Sequence, residues 1–265
     1  MSWVLFGGLG YEKRLWEVLG KPSFKVVGTD YVLSTESFTP APWADGVFAE
    51  YLTHNYAGLV AESEGIIHLS NSLFSCYVAI DMAILYQKPA WVFLPGRSWR
   101  LLFLSQGEGG CIGCTEPYHP PKPAMVWEKF SPEWLELLAT FWKNSPTSST
   151  LWEKEGEMKI LPRREDCPLH GEEHPYATGK HQLVVAVSCG ENSVAITPSF
   201  ERAIDLSGYL EEIKPFVRLR KSNVFFVEME YEKFSCLVFR QGRFIVKGTK
   251  EKNTALYLYR QLVGV

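Results

Sequence analysis

The feature that most constrains this fold is a set of four side chains, which stand as CIGC at 111–114 and as CPLH at 167–170. We call these segments the first and second metal arms; 52 residues lie between them. Two short arms of cysteine and histidine are the pattern with which a chain builds a closed tetrahedral zinc site. Four protein ligands leave no coordination position open. The sequence therefore predicts a structural zinc ion held by Cys111, Cys114, Cys167 and His170.

Two other interpretations of these residues stay open. The cysteines could be unrelated free thiols beside a surface histidine, or His174 or His119 could replace His170 as the fourth ligand. A disulfide fits less well, because a CxxC pair suits redox or metal chemistry and nothing in the sequence marks secretion.

Composition excludes several classes of protein. Of the 265 residues, 46% are hydrophobic and 14% are aromatic, which supports a sizeable core and argues against disorder. A net charge of −3 gives no reason to expect nucleic acid or a membrane as a partner. The first twenty residues lack both a basic segment and a long apolar run, so we expect neither a signal peptide nor a membrane span. The remaining cysteines, Cys76, Cys189 and Cys236, lie in apolar stretches, and buried thiols predict a cytoplasmic location.

The order of elements predicts an α/β fold for residues 1–175. SWVLF reads as a strand, GGLG as a turn, YEKRLWEVLG as an amphipathic helix and FKVVGTDYV as a second strand. The alternation returns with GIIHLS, LFSCYVAIDMAILYQ and PAWVFL. Successive βαβ units predict a Rossmann-like, mostly parallel sheet with helices on both faces. A further helix is expected in SPEWLELLATFWKN, with Ser131 as its N-cap and Pro132 at its first position.

Residues 181–265 predict a second, small α+β domain after a linker around GEEHPYATGK. We expect a strand in HQLVVAVS, a helix in SFERAIDLSGYLEEIK, three strands, a hairpin closed at QGR, and a last helix in EKNTALYLYRQLV.

Taken together, the glycine turn, the metal arms and the tail resemble the ThiF/MoeB/HesA superfamily, the bacterial relatives of ubiquitin-activating enzymes. The resemblance implies adenylation of the C-terminus of a small carrier protein. GGLG at 7–10 is similar to part of that family's glycine-rich turn, and the distance from it to Asp30 is similar to that of its strand-helix-strand unit. LSNS around Asn71 is similar to the family's aspartate-asparagine motif. The resemblance thus implies a vestigial nucleotide site at Gly7, Gly8, Gly10, Asp30 and Asn71.

The chain departs from the family where the nucleotide would bind. Leu5 displaces the first glycine of the turn, Gly28 stands at the ribose-binding acid, and Ser70 stands at the metal-binding aspartate. No lysine or arginine occurs from Val26 to Gln87. The acids in that interval are Asp30, Glu36, Asp45, Glu50, Glu62, Glu64 and Asp81. Such a region repels a triphosphate, so we expect neither ATP nor Mg²⁺ as a cofactor unless Arg97, Arg100 or a partner chain supplies cations.

The interval between the metal arms also lacks a nucleophile. Family members that form a thioester keep a cysteine there, whereas this chain has none from Thr115 to Asp166. Cys189 is a possible substitute, although no neighbouring cation that would activate its thiol is evident. We therefore predict no catalytic residue.

The leading hypothesis is a non-catalytic ThiF-like partner subunit or scaffold. It would bind an active homologue, or itself as a dimer, together with a small carrier protein or a precursor peptide. One rival is a diverged ATP-dependent adenylyltransferase in sulfur transfer or peptide maturation. The other is a peptide-recognition module that holds a leader peptide in the former nucleotide cleft, preferably a basic peptide given the acidic interval.

Overall fold

The computed structural model describes most of the chain, and its described residues form two compact units, one up to Gly179 and one from Lys180 onward. The described residues are 2–7, 11–28, 47–49, 56–70, 73–96, 98–106, 109–115, 130–144, 146–153, 157–188, 192–200 and 203–263. The division into domains at 1–175 and 181–265 stays a prediction, because compactness does not show that either unit folds alone. None of the helices in the described part combines the length and apolar character that a bilayer crossing requires.

The first unit is built on an eight-stranded mixed sheet. Its strands are β1 (Trp3–Gly7), β2 (Phe24–Gly28), β3 (Val47–Ala49), β4 (Ile66–Leu69), β5 (Ala90–Leu94), β6 (Arg100–Leu104), β7 (Thr150–Trp152) and β8 (Met158–Ile160). They lie in the order β3-β2-β1-β4-β5-β6-β7-β8. The first five strands in this order, β3, β2, β1, β4 and β5, are parallel to one another. Strands β6, β7 and β8 each pair with their neighbour in antiparallel orientation. The parallel part has the 3-2-1-4-5 order of Rossmann-like sheets, in which β1 and β4 flank the point where the order reverses.

Helices cover both faces of this sheet. They are α1 (Glu12–Val18), α2 (Ala57–Ala61), α3 (Leu73–Leu85), α4 (Ile112–Thr115) and α5 (Glu133–Trp142). Successive side chains of a strand point to opposite faces. Accordingly, Leu5 packs in one core cluster with Leu15 of α1 and Leu138 of α5, whereas Phe6 packs in the other with Ile80 of α3. The predicted α/β Rossmann-like fold with helices on both faces is confirmed.

Two details of the first unit differ from the sequence predictions. Strand β7 begins at Thr150, the last residue of SPTSST, whose composition predicts a loop, and it is held by pairing with β6. Helix α5 begins at Glu133, one residue later than predicted. The Ser131 hydroxyl still accepts a hydrogen bond from the Glu133 N–H at 3.4 Å, so the predicted capping contact is present despite the shifted boundary.

The second unit is a six-stranded antiparallel sheet with two helices. Its strands are β9 (Leu183–Val187), β10 (Ser193–Pro198), β11 (Arg218–Ser222), β12 (Phe226–Tyr231), β13 (Phe234–Phe239) and β14 (Phe244–Lys247), and its helices are α6 (Leu206–Ile213) and α7 (Lys252–Val263). The strand order is β11-β12-β13-β14-β10-β9. Both helices pack on the same face, since Tyr209 of α6 contacts the buried Met229 and Tyr259 of α7 contacts the buried Phe244.

The second unit corrects two expectations. The helix predicted over SFERAIDLSGYLEEIK is longer than the observed helix α6, which spans Leu206–Ile213. It begins at Leu206 because the Asp205 carboxylate accepts the backbone N–H groups of Ser207 and Gly208, at 3.1 and 3.2 Å, and so caps the helix there. Strand β10 was not predicted; its residues pair with both β9 and β14.

Candidate metal centre

The four predicted ligands lie together in the first unit. The Cys111 Sγ is 3.5 Å from the Cys167 Sγ and 3.9 Å from the Cys114 Sγ, and the Cys114 Sγ is 3.4 Å from the His170 Nδ1. All four ligand atoms fall within 4.8 Å of one another. Sulfur ligands of a tetrahedral zinc ion, each about 2.3 Å from the metal, lie about 3.8 Å apart. The cluster can therefore hold one metal ion without rearrangement.

Short helical turns present the ligands within each arm. Helix α4 makes up most of the first arm, and the Cys114 N–H donates to the Cys111 carbonyl oxygen at 3.0 Å. The second arm is a single 3₁₀ turn at Pro168–His170, where the His170 N–H donates to the Cys167 carbonyl oxygen at 3.0 Å. Each turn brings ligands three residues apart to the same side, as a metal chelate requires.

Two glycines allow the arms to meet. A Cβ on Gly110 would lie 2.4 Å from the Pro162 carbonyl oxygen, and a Cβ on Gly113 would lie 3.1 Å from the Cys167 Sγ. The Gly110 N–H also donates to the Leu161 carbonyl oxygen at 2.7 Å. The backbone leading into the first arm is thus packed directly against the backbone leading into the second.

The three cysteine thiols of the cluster differ in pKa. Hydrogen bonds to Cys114 and Cys167, together with burial, raise the pKa of the Cys111 thiol far above its usual value. Donation from Cys111 lowers the pKa of Cys114 to about 6 and that of Cys167 to about 3. The Arg164 backbone N–H adds a hydrogen bond to the Cys114 Sγ at 3.4 Å. Cys114 and Cys167 therefore favour the thiolate, the form in which cysteine binds metals, whereas Cys111 would lose its proton when a metal ion binds.

The other candidate histidines are not part of the cluster in the described residues. His174 lies beyond the second arm, and its Nδ1 is 2.9 Å from the Oδ1 of the buried Asp81 on α3. The other carboxylate oxygen of Asp81 accepts the backbone N–H groups of Tyr176 and Ala177, both at 2.9 Å. Asp81, which was counted above among the acids that would repel a triphosphate, instead anchors the segment that follows the second arm. His119 lies outside the described residues.

Of the residues predicted to form a vestigial nucleotide site, only Gly7 is among the described residues. Gly7 ends β1 with a φ of 79°, the left-handed conformation that a glycine turn uses. Gly8, Gly10, Asp30 and Asn71 lie outside the described residues, as do Arg97 and Cys189. Leu5 is not at the turn: its side chain is fully buried in the core, two residues before β1 ends.

A buried polar cluster that the sequence did not predict lies at the carboxyl end of β4. The His68 Nε2 is 2.9 Å from the Ser75 hydroxyl, which donates to the Ser70 hydroxyl at 3.1 Å, and the Cys76 Sγ donates to the Phe93 carbonyl oxygen at 3.5 Å. The residues of this cluster on β4 and α3 are buried. They meet only through packing of a strand against a helix, so the linear spacing carried no signal for the cluster.

Comparison with known proteins gives a relationship for part of the chain. No family model matches it. Over 120 residues it is 26% identical to the sulfur carrier protein ThiS adenylyltransferase of Bacillus subtilis (strain 168), an alignment that covers 44% of this chain and 36% of that protein. The chain thus spans about a third of the relative that it matches. The match supports, weakly, a relationship to ThiF-like adenylyltransferases, and activity and partners need separate support.

Proposed function

We propose that this chain is a ThiF-like scaffold or partner subunit with no adenylation activity of its own. Adenylation brings a triphosphate against a carboxylate, so its site must neutralise several negative charges. In Rossmann-like sheets that site lies beyond the carboxyl ends of the strands where the strand order reverses, which here are β1 and β4. A chain that lacks cations around these strand ends would bind nucleotide poorly.

The observation that carries the proposal is the absence of any lysine or arginine from Val26 to Gln87. This interval supplies β4 and the helix after it, and therefore one side of the expected nucleotide cleft. The polar groups that the described residues place there are already engaged. At the carboxyl end of β4, Ser70 accepts a hydrogen bond from Ser75, and Asp81, further along α3, is held by His174 and two backbone N–H groups of the segment after the second metal arm. Neither is set out to bind a nucleotide-associated metal.

We assign zinc to the four-ligand cluster, with Cys111, Cys114, Cys167 and His170 as its ligands. Three sulfurs and one imidazole nitrogen are a donor set that structural zinc sites use. When bound, the ion would join the two metal arms and contribute folding free energy rather than chemistry. Buried cysteines that form no disulfide, such as Cys76 and Cys236 in the cores of the two units, fit a reducing compartment, and we place the protein in the cytoplasm.

The partners that we propose are polypeptides. They are an active ThiF-like homologue or a second copy of this chain, and the small carrier protein or precursor peptide that the active partner modifies. The Rossmann-like fold is present, while Gly28 and Ser70 stand where the resemblance implies a ribose-binding acid and a metal-binding aspartate, which fits a subunit that contributes surface rather than chemistry.

Exchange of labelled pyrophosphate into ATP by the purified, zinc-loaded chain, with the sulfur carrier protein ThiS added as the carboxylate that would accept the adenylyl group, tests this proposal. We expect no exchange above a protein-free blank, with the Bacillus subtilis relative as positive control. Exchange by the chain would favour the second candidate, a diverged adenylyltransferase. That candidate is supported by the similarity to an adenylyltransferase and needs cations from Arg97, Arg100 or a dimer mate.

A further inference from the structure

Strand β11 forms one edge of the six-stranded sheet and is exposed along its whole length. Among the described residues, eight large apolar side chains are exposed, and four of them lie within or beside β11. These four are Phe216, Leu219, Val224 and Phe225. Val224 and Phe225 keep 70% and 69% of their surface in contact with solvent. Exposed apolar residues clustered at a strand edge indicate an interaction surface.

The same stretch is strongly basic. Residues 214–225 contain four cations and no carboxylate. The cations are Lys214, Arg218, Arg220 and Lys221. Glu230 on β12 pairs with Arg220 and lies 3.5 Å from Arg218, yet the Arg218 side chain remains 84% exposed. Glu228 on β12 lies in register with Lys221, so two acids face the four cations, and the edge keeps a net positive charge.

Cations and a β-bulge on an edge strand also protect that strand against pairing with an identical strand. Strand β11 carries cations, and the register of its pairing with β12 shifts between Leu219 and Lys221, which is a β-bulge or similar irregularity. That protection excludes a second copy of β11, because two strands of like charge would face each other. It does not exclude an acidic strand, whose carboxylates would lie opposite these cations. The exposed Val224 and Phe225 do not contribute to such protection and add apolar contacts.

We propose that β11 and the four apolar side chains beside it form a docking edge for an acidic polypeptide segment, which adds to the sheet as an extended strand. Among the described strands only β12 pairs with β11, so the outer side of β11 offers backbone groups for affinity. The basic and apolar side chains select an acidic partner with alternating apolar residues. This inference deepens the proposed function, since it specifies the partner's chemistry. It differs from a basic leader peptide in the nucleotide cleft, because it places an acidic peptide on the second unit.

Fluorescence anisotropy with a labelled ten-residue peptide of alternating glutamate and valine tests the proposal on the full chain. We expect saturable binding that weakens as salt is added. A peptide with lysine in place of glutamate should bind at least about tenfold more weakly, a difference of about 1.4 kcal/mol. An acidic peptide with N-methylated backbone at alternate residues should also lose binding, because it cannot pair with a strand.

Variants locate the site. Lys221→Glu and Arg218→Glu should each weaken binding of the acidic peptide several-fold, whereas Lys247→Glu, an equal charge reversal on the interior strand β14, should not. Phe225→Ser changes no charge and should also weaken binding, so the proposal stays testable if a charge reversal disturbs folding. Equal binding of acidic and basic peptides, or variants that bind like the parent, would overturn it.

Two further outcomes are informative. Binding to phosphatidylserine vesicles in place of the peptide would show a lipid surface as the ligand and contradict the proposal. Pyrophosphate exchange by the chain would contradict the non-catalytic function while leaving the docking edge intact, so the two failures are distinguishable.

Discussion

At the scale of single residues, the metal centre depends on side chains that are absent as much as on its ligands. Gly110 and Gly113 stand where the first metal arm packs against the second. Any side chain at these positions would separate the sulfur atoms, because the opposing atoms are backbone and ligand rather than the end of a flexible side chain. Glycine therefore belongs to the site although it binds nothing.

Gly110→Ala should lower the free energy of unfolding by about 2 kcal/mol, because the added methyl group forces the two arms apart. Gly58→Ala is the matched control: it lies in α2 with open space around its Cα, and alanine there should be neutral or stabilising by up to about 1 kcal/mol. Urea denaturation of both variants measures the difference. Equal stabilities would show that the arms tolerate separation.

Cys167→Ser should remove the metal, since a neutral hydroxyl replaces a thiolate ligand. We expect about one equivalent of zinc in the parent protein and less than half of that in the variant, measured by elemental analysis after dialysis. Cys236→Ala, a change to a buried cysteine of the second unit, should leave the zinc content unchanged. Full zinc occupancy in Cys167→Ser would rule out the assigned ligand set.

At the scale of elements, Asp81 joins α3 to the segment after the second arm. Its carboxylate accepts the backbone N–H groups of Tyr176 and Ala177 through one oxygen and contacts His174 through the other. Burial raises its pKa above the usual range, although those same contacts act to lower it. A raised pKa in the folded state means that ionisation of Asp81 reduces stability as pH rises through that pKa. A neutral residue of the same shape should thus be tolerated.

Asp81→Ala should cost about 3 kcal/mol, because two buried N–H groups lose their acceptor. Asp81→Asn should cost less than about 1.5 kcal/mol, because its amide oxygen can accept both groups and its NH₂ can face the imidazole. Thermal and urea unfolding at neutral pH distinguish the two variants. If asparagine were as damaging as alanine, the negative charge rather than the acceptor geometry would be what matters.

Elements with a strong local signal were predictable from the sequence, and elements held by pairing were not. The β1-α1-β2 unit and the strands on either side of α3 follow from apolar runs separated by turns. Strand β7 has only three residues and exists because β6 offers it a partner. The start of α6 was predictable in principle, since Asp205 is a good N-cap, but the apolar residues before it suggested a longer helix.

The features of the site likewise separate into those that the sequence predicts and those that only the packed fold creates. Metal ligands can be recognised in a sequence by their residue type and spacing. The cluster could therefore be predicted although 52 residues separate the two metal arms. The Asp81 contacts and the His68 cluster depend on which helix face packs against which strand. Such proximity is a property of the packed fold and leaves no periodic signal in the sequence.

At the scale of the whole molecule, the metal centre closes a long loop. The Cys111 and Cys167 sulfurs meet across 56 positions of the chain, and the segment between them contributes α5, β7 and β8. Closing a loop in the folded state costs chain entropy, and a metal that binds only the folded form offsets that cost.

Chelation of zinc should therefore lower the unfolding temperature by at least about 5 °C, corresponding to about 1–2 kcal/mol in a chain of this size. Hydrogen exchange should accelerate in β7, β8 and the second arm, while β12 and β13 of the second unit keep their protection as an internal control. Uniform acceleration through both units would mean that the metal supports more than the loop it closes.

Calorimetric titration of Mg-ATP into the zinc-loaded protein tests most directly the claim that this chain binds no nucleotide. We predict no saturable heat up to about 1 mM nucleotide. Binding with a dissociation constant of about 10 μM would contradict the claim. It would show that cations from outside the interval from Val26 to Gln87 complete a working site.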